Sequence, residues 1–282
     1  MIFDSHCHIQ FKGFDEERED VLKICAEKNI WLHAIGTQKD TSKKAVELAE
    51  SHDNIFASIG IHPIHLFPTY VDEEESSFVS REESFDEEYF DELAKSPKVI
   101  AVGECGFELY HVPKDKTVEE VLAKQKEIFL AQYHFAQKHN LPLVIHVRDA
   151  HDQLIEVLKE LPKPIRGVIH CFSGDWSVAS KYLDFGLNLG FTGIITFPIK
   201  KTAPQIQEDL WEVVQKVPND RFIVETDAPY LAPQKYRGKR CEPWMVEEVA
   251  DKVAELKGLS IDEVKKLALE NSLRVFDRMK II

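Results

Sequence analysis

The stretch Pro142 to Asp149, PLVIHVRD, shows the pattern that decides the fold. Its apolar residues are nearly continuous, and a histidine and an arginine stand towards its carboxyl end. Such a run is typical of a parallel strand that is covered on both faces. Seven further runs share this character: IFDSHCH (2–8), WLHAIGT (31–37), IFASIGIHP (55–63), VIAVGECG (99–106), GVIHCFSG (167–174), LNLGFTGII (187–195) and FIVETDAP (222–229). The chain therefore predicts eight buried strands with polar residues at their carboxyl ends.

Amphipathic segments lie between these runs. Asp15 to Asn29 and Thr117 to His139 are the clearest, and both predict crossover helices of βα units. Alternating strands and helices form either a closed barrel or an open doubly wound sheet. Eight strands, with polar residues at the ends of most of them rather than at one switch point, favour an α/β fold of the (β/α)8 TIM barrel type.

One segment departs from the alternation. Residues 70–95 lengthen the third connection and carry a dense run of acidic side chains. We interpret this segment as an acidic surface excursion with a short helix near Phe85 to Ala94, because a run of like charges is usually solvated. No linker or repeat indicates a second domain, so residues 1–282 are predicted to form one barrel.

Composition excludes several classes of protein. A hydrophobic fraction of 44% with 30% charged residues is ordinary for a globular chain, which excludes global disorder. No signal peptide or apolar membrane span is visible, and the five scattered cysteines suit a reducing compartment, so a cytoplasmic protein without disulfides is expected. The net charge of -14 argues against broad electrostatic wrapping of a nucleic acid. Lys235 to Arg240, KYRGKR, is a local basic exception.

The residues that indicate chemistry follow the apolar runs. His6 and His8 are two positions apart on the first strand, so their imidazoles can face one ion. Each candidate taken singly is also compatible with a buried structural side chain, but as a group they predict a metal centre. Four histidines and two carboxylates exceed one ion's usual four ligands, which favours two metals that share a carboxylate. The predicted ligands are His6, His8, Glu104, His146, His170 and Asp227.

Strand alternation also assigns the neighbours of these ligands. Cys7, Cys105 and Cys171 each adjoin a ligand, so they are predicted to face away from the metals. Arg148 and Glu225 lie two positions from a ligand and should face the centre. Arg148 is then a candidate phosphate clamp and Glu225 a candidate to orient a ligand or water, although an ion pair that braces the barrel mouth fits nearly as well.

Two histidines follow the third strand in the sequence GIHPIH. Either His62 or His65 could reach the pocket, and His62 is the better candidate for a substrate contact because the following proline extends its backbone. The other histidines are interpreted as structural.

The motifs DSHCH, GIHP, VGECG, IHVRDA, HCFSG, GFTGIITF, ETDAPYLAP and RVF occur in this order between Asp4 and Phe276. Together they resemble the TatD-type deoxyribonucleases of the amidohydrolase superfamily. The resemblance implies a distorted (β/α)8 barrel and divalent-metal-dependent hydrolysis of DNA phosphodiesters, often from the 3′ end. It places His6, His8, Glu104 and Asp227 around one metal, with Glu104 bridging to a second ion held by His146 and His170.

Two features depart from the family pattern. The segment after Glu104 reads CGFELYHVP, with Glu108 in place of the usual aspartate, and the acidic excursion is longer than usual. Both changes affect the expected substrate preference more than the expected reaction class.

The expected reaction is attack on a DNA phosphodiester by a water between two divalent ions, Mg²⁺, Mn²⁺ or Zn²⁺, with Asp227 as proton acceptor and Glu104 as the bridging catalytic carboxylate. Arg148 and the KYRGKR loop, including Arg237, are expected to hold phosphates of single-stranded DNA or 3′ ends. No membrane or obligate protein partner is implied. The alternatives are hydrolysis of another ester or amide within the superfamily, and an inactive binding or scaffold barrel.

Overall fold

The computed structural model of the protein describes residues 1–68, Glu75 and residues 82–280. Eight parallel strands form one sheet in which each strand pairs with the next along the chain. The eight predicted strands are confirmed: β1 (Ile2–Cys7), β2 (Ile30–Ile35), β3 (Ile55–Ile59), β4 (Val99–Glu108), β5 (Leu143–Arg148), β6 (Gly167–Ile169), β7 (Asn188–Phe191) and β8 (Phe222–Val224).

The sheet closes through the segment that follows β8. The Asp227 amide donates to the His6 carbonyl at 2.8 Å, and the His8 amide donates to the Ala228 carbonyl at 2.7 Å. The Thr226 hydroxyl donates to the buried Asp4 carboxylate at 2.6 Å across the same seam. Because β8 itself has only three residues, this seam completes the barrel, and the predicted distorted (β/α)8 barrel is confirmed.

Helices surround the sheet. Thr117 and Glu120 cap each other's backbone amides at the start of the longest helix, which fixes its first turn. The predicted helices at 15–29, 117–139 and 85–94 are confirmed with shorter bounds. The helices are α1 (Arg18–Glu27), α2 (Lys39–Ser51), α3 (Glu87–Leu93), α4 (Val118–His139), α5 (His151–Lys159), α6 (Trp176–Phe185), α7 (Pro204–Lys216), α8 (Val246–Lys257) and α9 (Ile261–Val275).

Two apolar clusters stabilise the barrel. The larger one packs the outer faces of the strands against the helices. The smaller one joins residues near the amino ends of the strands, such as Phe3 and Val144, to Phe276 and Met279 after α9. This second cluster fills the end of the barrel opposite to the carboxyl ends of the strands, where a TIM barrel carries its site.

Part of the acidic excursion, residues 70–74 and 76–81, lies outside the described residues. In the part of the chain that the structure does describe, we find no helix with the length and apolarity that a membrane crossing requires. Each of the five cysteines lies in this part, and each is a free thiol.

Candidate metal centre

The six predicted ligands meet at the carboxyl end of the barrel. The Nε2 atoms of His6 and His8 are 3.3 Å apart. The His6 Nε2 is 3.3 Å from Glu104 Oε2, and the His8 Nε2 is 3.4 Å from Asp227 Oδ1. On the other side of Glu104, His146 Nδ1 lies 2.9 Å from Oε1. Residues from five strands or strand ends thus share one buried site.

An irregularity in β4 places Glu104. The pairing register of β4 with β5 shifts between Val102 and Cys105, and the strand continues to Glu108. Gly103 and Gly106 flank the shift with positive φ angles of 146° and 148°, where a side chain would also collide with the backbone of β5. Glu104 therefore lies within a strand rather than at its end, and the local distortion turns its carboxylate into the barrel.

The two oxygens of Glu104 face two different groups of nitrogen atoms. Oε2 lies near His6 and His8, the latter at 3.8 Å. Oε1 lies near His146, near His62 at 3.5 Å and near His170 at 3.9 Å. Imidazole nitrogens therefore lie on both sides of the Glu104 carboxylate.

Three overlapping groups of ligand atoms fit metal binding in the described part of the chain. They are His6, Glu104 and His170; His6, His8 and Asp227; and His62, Glu104 and His146. Imidazole nitrogen and carboxylate oxygen are common ligands of Zn²⁺ and related divalent ions. The His8 Nδ1 lies 2.9 Å from the Ile35 carbonyl, which assigns the proton to Nδ1 and leaves the Nε2 lone pair directed into the site. The residues present therefore fit divalent cations.

Charge coupling shifts the pKa values of the centre. Burial alone would raise the pKa of Glu104, but the imidazoles of His62, His6 and His170 hold that pKa well below its usual value, and of these three only His170 has a raised pKa of its own and so carries the charge. Burial likewise opposes the charge of His146, yet hydrogen bonds with Glu104 and Glu108 raise its pKa to about 9. Protonated imidazole thus carries part of the positive charge that balances the carboxylates. Bound metal ions would replace this charge.

Glu225 lies behind His170. Its Oε1 is 2.8 Å from His170 Nδ1 and accepts the Cys171 amide at 2.6 Å, while its Oε2 accepts the Ser5 hydroxyl at 3.3 Å. Glu225 is fully buried and does not line the site cavity. Glu225 therefore does not face the substrate cavity. Its position instead suits the other role that was expected of it, which is to orient His170.

The site opens into a cavity of about 480 Å³. His62 and Arg148 line this cavity, as predicted for substrate contacts, whereas Arg237 does not. Arg237 is exposed on its loop and its guanidinium lies 4.3 Å from the centre of the Phe197 ring. The structure thus brings His62 and Arg148 to the metal centre and leaves Arg237 outside it.

The cysteine prediction is correct for two thiols and wrong for the third. Cys7 and Cys105 are fully buried, with their sulfur atoms against the carbonyls of His33 and Val144. Cys171 lines the cavity, and its Sγ is 3.2 Å from Thr192 Oγ1. Because β6 ends at Ile169 and Cys171 has a φ of 45°, strand alternation does not extend to this residue.

Two acidic residues of the site were not recognised from the sequence. Glu108, interpreted only as a pocket wall, places Oε2 3.2 Å from His146 Nε2. Its spacing of four residues from Glu104 along a strand was the available signal, because even spacing puts both on one face. Glu75, in the stretch interpreted as solvated, instead lines the cavity, and its Oε1 accepts from Thr37 and Gln38 at 2.5 and 3.0 Å.

Comparisons with known proteins identify the family of this chain. The model of the TatD related DNase family matches residues 3–277. The chain is 35% identical to the uncharacterized metal-dependent hydrolase YabD of Bacillus subtilis, over 98% of this chain and 99% of that one. It is 31% identical to the uncharacterized metal-dependent hydrolase YcfH of Escherichia coli, over 98% and 96% of the two chains.

Solved structures show the same architecture. The crystal structure of the TatD homolog YjjV from Escherichia coli superposes with a TM-score of 0.82 at 26% identity and covers 98% of both chains. A TatD family hydrolase of Entamoeba histolytica shares the fold, with a TM-score of 0.77 at 21% identity over 99% of this chain and 98% of that one. With the family match extending over nearly the whole barrel, this chain belongs to the TatD related DNase family.

Proposed function

We propose that this protein is a divalent-metal-dependent hydrolase that cleaves phosphodiester bonds of DNA, as a 3′–5′ exodeoxyribonuclease. The observation that carries the proposal is the buried Glu104 carboxylate with imidazole nitrogens on both sides of it. Family membership and the metal-dependent hydrolases among its relatives support the same reaction class. Mg²⁺, Mn²⁺ and Zn²⁺ are the candidate ions, and two are proposed per chain.

Two divalent ions, when bound, would supply the charge that acidifies a water molecule and stabilises the phosphorane-like transition state. The chain itself supplies the proton acceptor. Asp227 lies at the cavity wall, and burial would raise its pKa, but His170 and His8 lower it. Asp227 is therefore held as a carboxylate that can accept a proton from an attacking water.

His62 suits a contact with the substrate better than metal ligation. Its Nδ1 accepts the Ile64 amide at 3.1 Å, so the neutral ring carries its proton on Nε2. Burial, reinforced by His146, holds the pKa of His62 well below its usual value, which keeps the ring neutral. Nε2 then faces the centre as a hydrogen-bond donor, available to an unesterified phosphate oxygen.

The test uses chelator-stripped protein reconstituted with each ion. Single-stranded DNA labelled at the 5′ end, single-stranded RNA, duplex DNA and a carboxylic ester would be incubated in parallel. The proposal predicts a ladder of DNA products shortened from the 3′ end, only with metal. Hydrolysis of the carboxylic ester without cleavage of any DNA would overturn it in favour of another substrate class.

A further inference from the structure

A stacked pair of side chains stands at the rim of the cavity. The Arg148 guanidinium carbon lies 3.6 Å from the centre of the Tyr110 ring. Arg148 lines the cavity, and its side chain makes no hydrogen bond or ion pair with any residue in the described ranges. Its planar group is thus oriented by the ring while its N–H donors are available to a ligand.

Tyr110 is itself accessible. Its side chain is 58% exposed, which makes it one of the few exposed large apolar residues of the described chain. The Arg148 guanidinium covers one face of the ring and the His111 ring meets it edge-on at 4.7 Å, which leaves the other face of the ring beside the cavity-lining Arg148. An exposed aromatic face beside an available cation is the combination on which single-stranded nucleic acids bind.

Glu108 fixes this rim relative to the metal centre. Its Oε1 accepts the amides of Tyr110 and His111 at 2.5 and 3.0 Å, while its Oε2 faces His146 Nε2 at 3.2 Å. Gln125 binds both backbone polar groups of Glu108, at 3.1 and 2.7 Å, and so holds the end of β4. One buried carboxylate therefore connects a candidate metal ligand to the segment that carries the exposed ring.

Strand geometry sets the separation of the rim from the reaction centre. His146 and Arg148 lie two residues apart on β5, which places Arg148 about 7 Å further along the strand. Arg148 is also the only arginine or lysine that lines the cavity among the described residues. In a chain of net charge -14, this cation is the natural partner for a second phosphate of a polyanionic substrate.

We propose that Tyr110 and Arg148 form a subsite for the nucleotide next to the scissile phosphodiester, with its base on the Tyr110 ring and its phosphate on Arg148. This inference rests on the proposed function, whose substrate it makes specific. We expect this subsite to favour single-stranded ends, because the base of an unpaired end can reach the Tyr110 ring without the opening of a duplex.

The test compares Tyr110→Ala and Tyr110→Phe with Ile206→Ala, an exposed control on α7 outside the cavity. Each variant would be assayed on a single-stranded oligonucleotide, on the same oligonucleotide with an abasic nucleotide at the cleaved end, and on methyl p-nitrophenyl phosphate. We expect Tyr110→Ala to raise KM for the intact oligonucleotide about tenfold, within the range for loss of one base–aromatic stack. Tyr110→Phe and Ile206→Ala should retain the wild-type KM.

The abasic substrate separates stacking from a general structural effect. Removal of the base should raise the wild-type KM as much as Tyr110→Ala does, and the two changes together should add nothing further. Hydrolysis of the small diester should be unchanged in Ile206→Ala, and Tyr110→Ala should affect it less than it affects cleavage of the intact oligonucleotide. An unchanged KM for Tyr110→Ala, or an equal effect on intact and abasic DNA, overturns the subsite alone. Wild-type protein that cleaves the diester but no oligonucleotide overturns the proposed function and the subsite with it.

Discussion

Asp227 differs from Glu104 in its access to solvent. Its side chain is 14% exposed, whereas that of Glu104 is 4% exposed. Both carboxylates lie among the same imidazoles and line the cavity, and Asp227 is the more accessible of the two to an attacking water. This difference supports the assignment of Asp227 as proton acceptor and of Glu104 as the bridging ligand.

Asp227→Asn should therefore abolish nearly all hydrolysis. We expect a loss greater than the 10²–10⁴-fold typical of a general base, because the charge that balances the metals is also removed. Substrate binding should weaken far less. Cleavage rates of the folded, metal-loaded variant check this, and a rate near that of the wild type would show that Asp227 is not the proton acceptor.

Glu225→Gln tests the positioning of His170. Burial disfavours the charge of His170, but Glu225 and Asp227 raise its pKa to about 10. A glutamine keeps an acceptor for the Cys171 amide and loses the charge that orients the imidazole. Loss of such an outer carboxylate typically weakens metal binding about 10–100-fold.

Competition with a chelator would measure that affinity. Glu212→Gln, which removes a surface carboxylate paired with Lys216 on α7, serves as the matched control. Equal metal affinity in the two variants would show that Glu225 only braces the barrel seam.

At the scale of elements, β6 is where alternation misassigned a side chain. Cys171 lies beyond the end of the strand and contacts Thr192. Cys171→Ser should preserve that contact, since a hydroxyl can replace the thiol as donor or acceptor, and should leave the metal content unchanged. Metal analysis of the purified variant checks the expectation, and metal loss with an intact fold would make Cys171 a ligand.

The elements show what a sequence pattern can predict. All eight strands were predicted from apolar runs, because a strand buried on both faces leaves a continuous apolar signature. The position of Glu104 inside β4 was not, because the register shift beside it arises from pairing with β5. The sequence also did not predict that Glu75 lines the cavity. An acidic run by itself indicates a solvated segment, so it gave no signal for a buried position.

The sequence likewise predicted one part of the candidate site and not another. The six candidate ligands were predicted together because they end or interrupt apolar runs, which is a local signal. Glu108 required knowledge of how far β4 extends, and the burial of Glu225 required knowledge of the seam with β1. The positions of Glu108 and Glu225 therefore depend on contacts between parts of the chain that are distant in the sequence, which a local pattern does not predict.

The stability of the whole molecule should depend on His33, which packs against Phe3 and Phe276. Burial lowers the pKa of His33 to about 3. The unfolded chain takes up this proton below pH 6.5 and the folded chain does not, so stability is fully present above pH 6.5 and falls on acidification towards pH 3. The contribution is about 1.4 kcal/mol per pH unit in that window.

His33→Gln removes the titrating group and keeps a side-chain donor for the Ser5 carbonyl. The variant should be less stable at pH 7, but its free energy of unfolding should fall less steeply between pH 6 and pH 4. Urea unfolding at several pH values measures the two slopes. Parallel slopes would mean that His33 is protonated in the folded protein.

At the scale of the whole centre, we propose that Glu104 joins two metal positions and that DNA cleavage requires both. The most direct measurement is a metal titration of stripped protein that follows bound metal and cleavage of end-labelled single-stranded DNA together. Exposed Glu92→Gln serves as the control for Glu104→Gln. Cleavage should develop as the second equivalent binds, and Glu104→Gln should bind less metal and should not cleave. Cleavage without metal, or a Glu104→Gln variant that matches the wild type in both readouts, would contradict it.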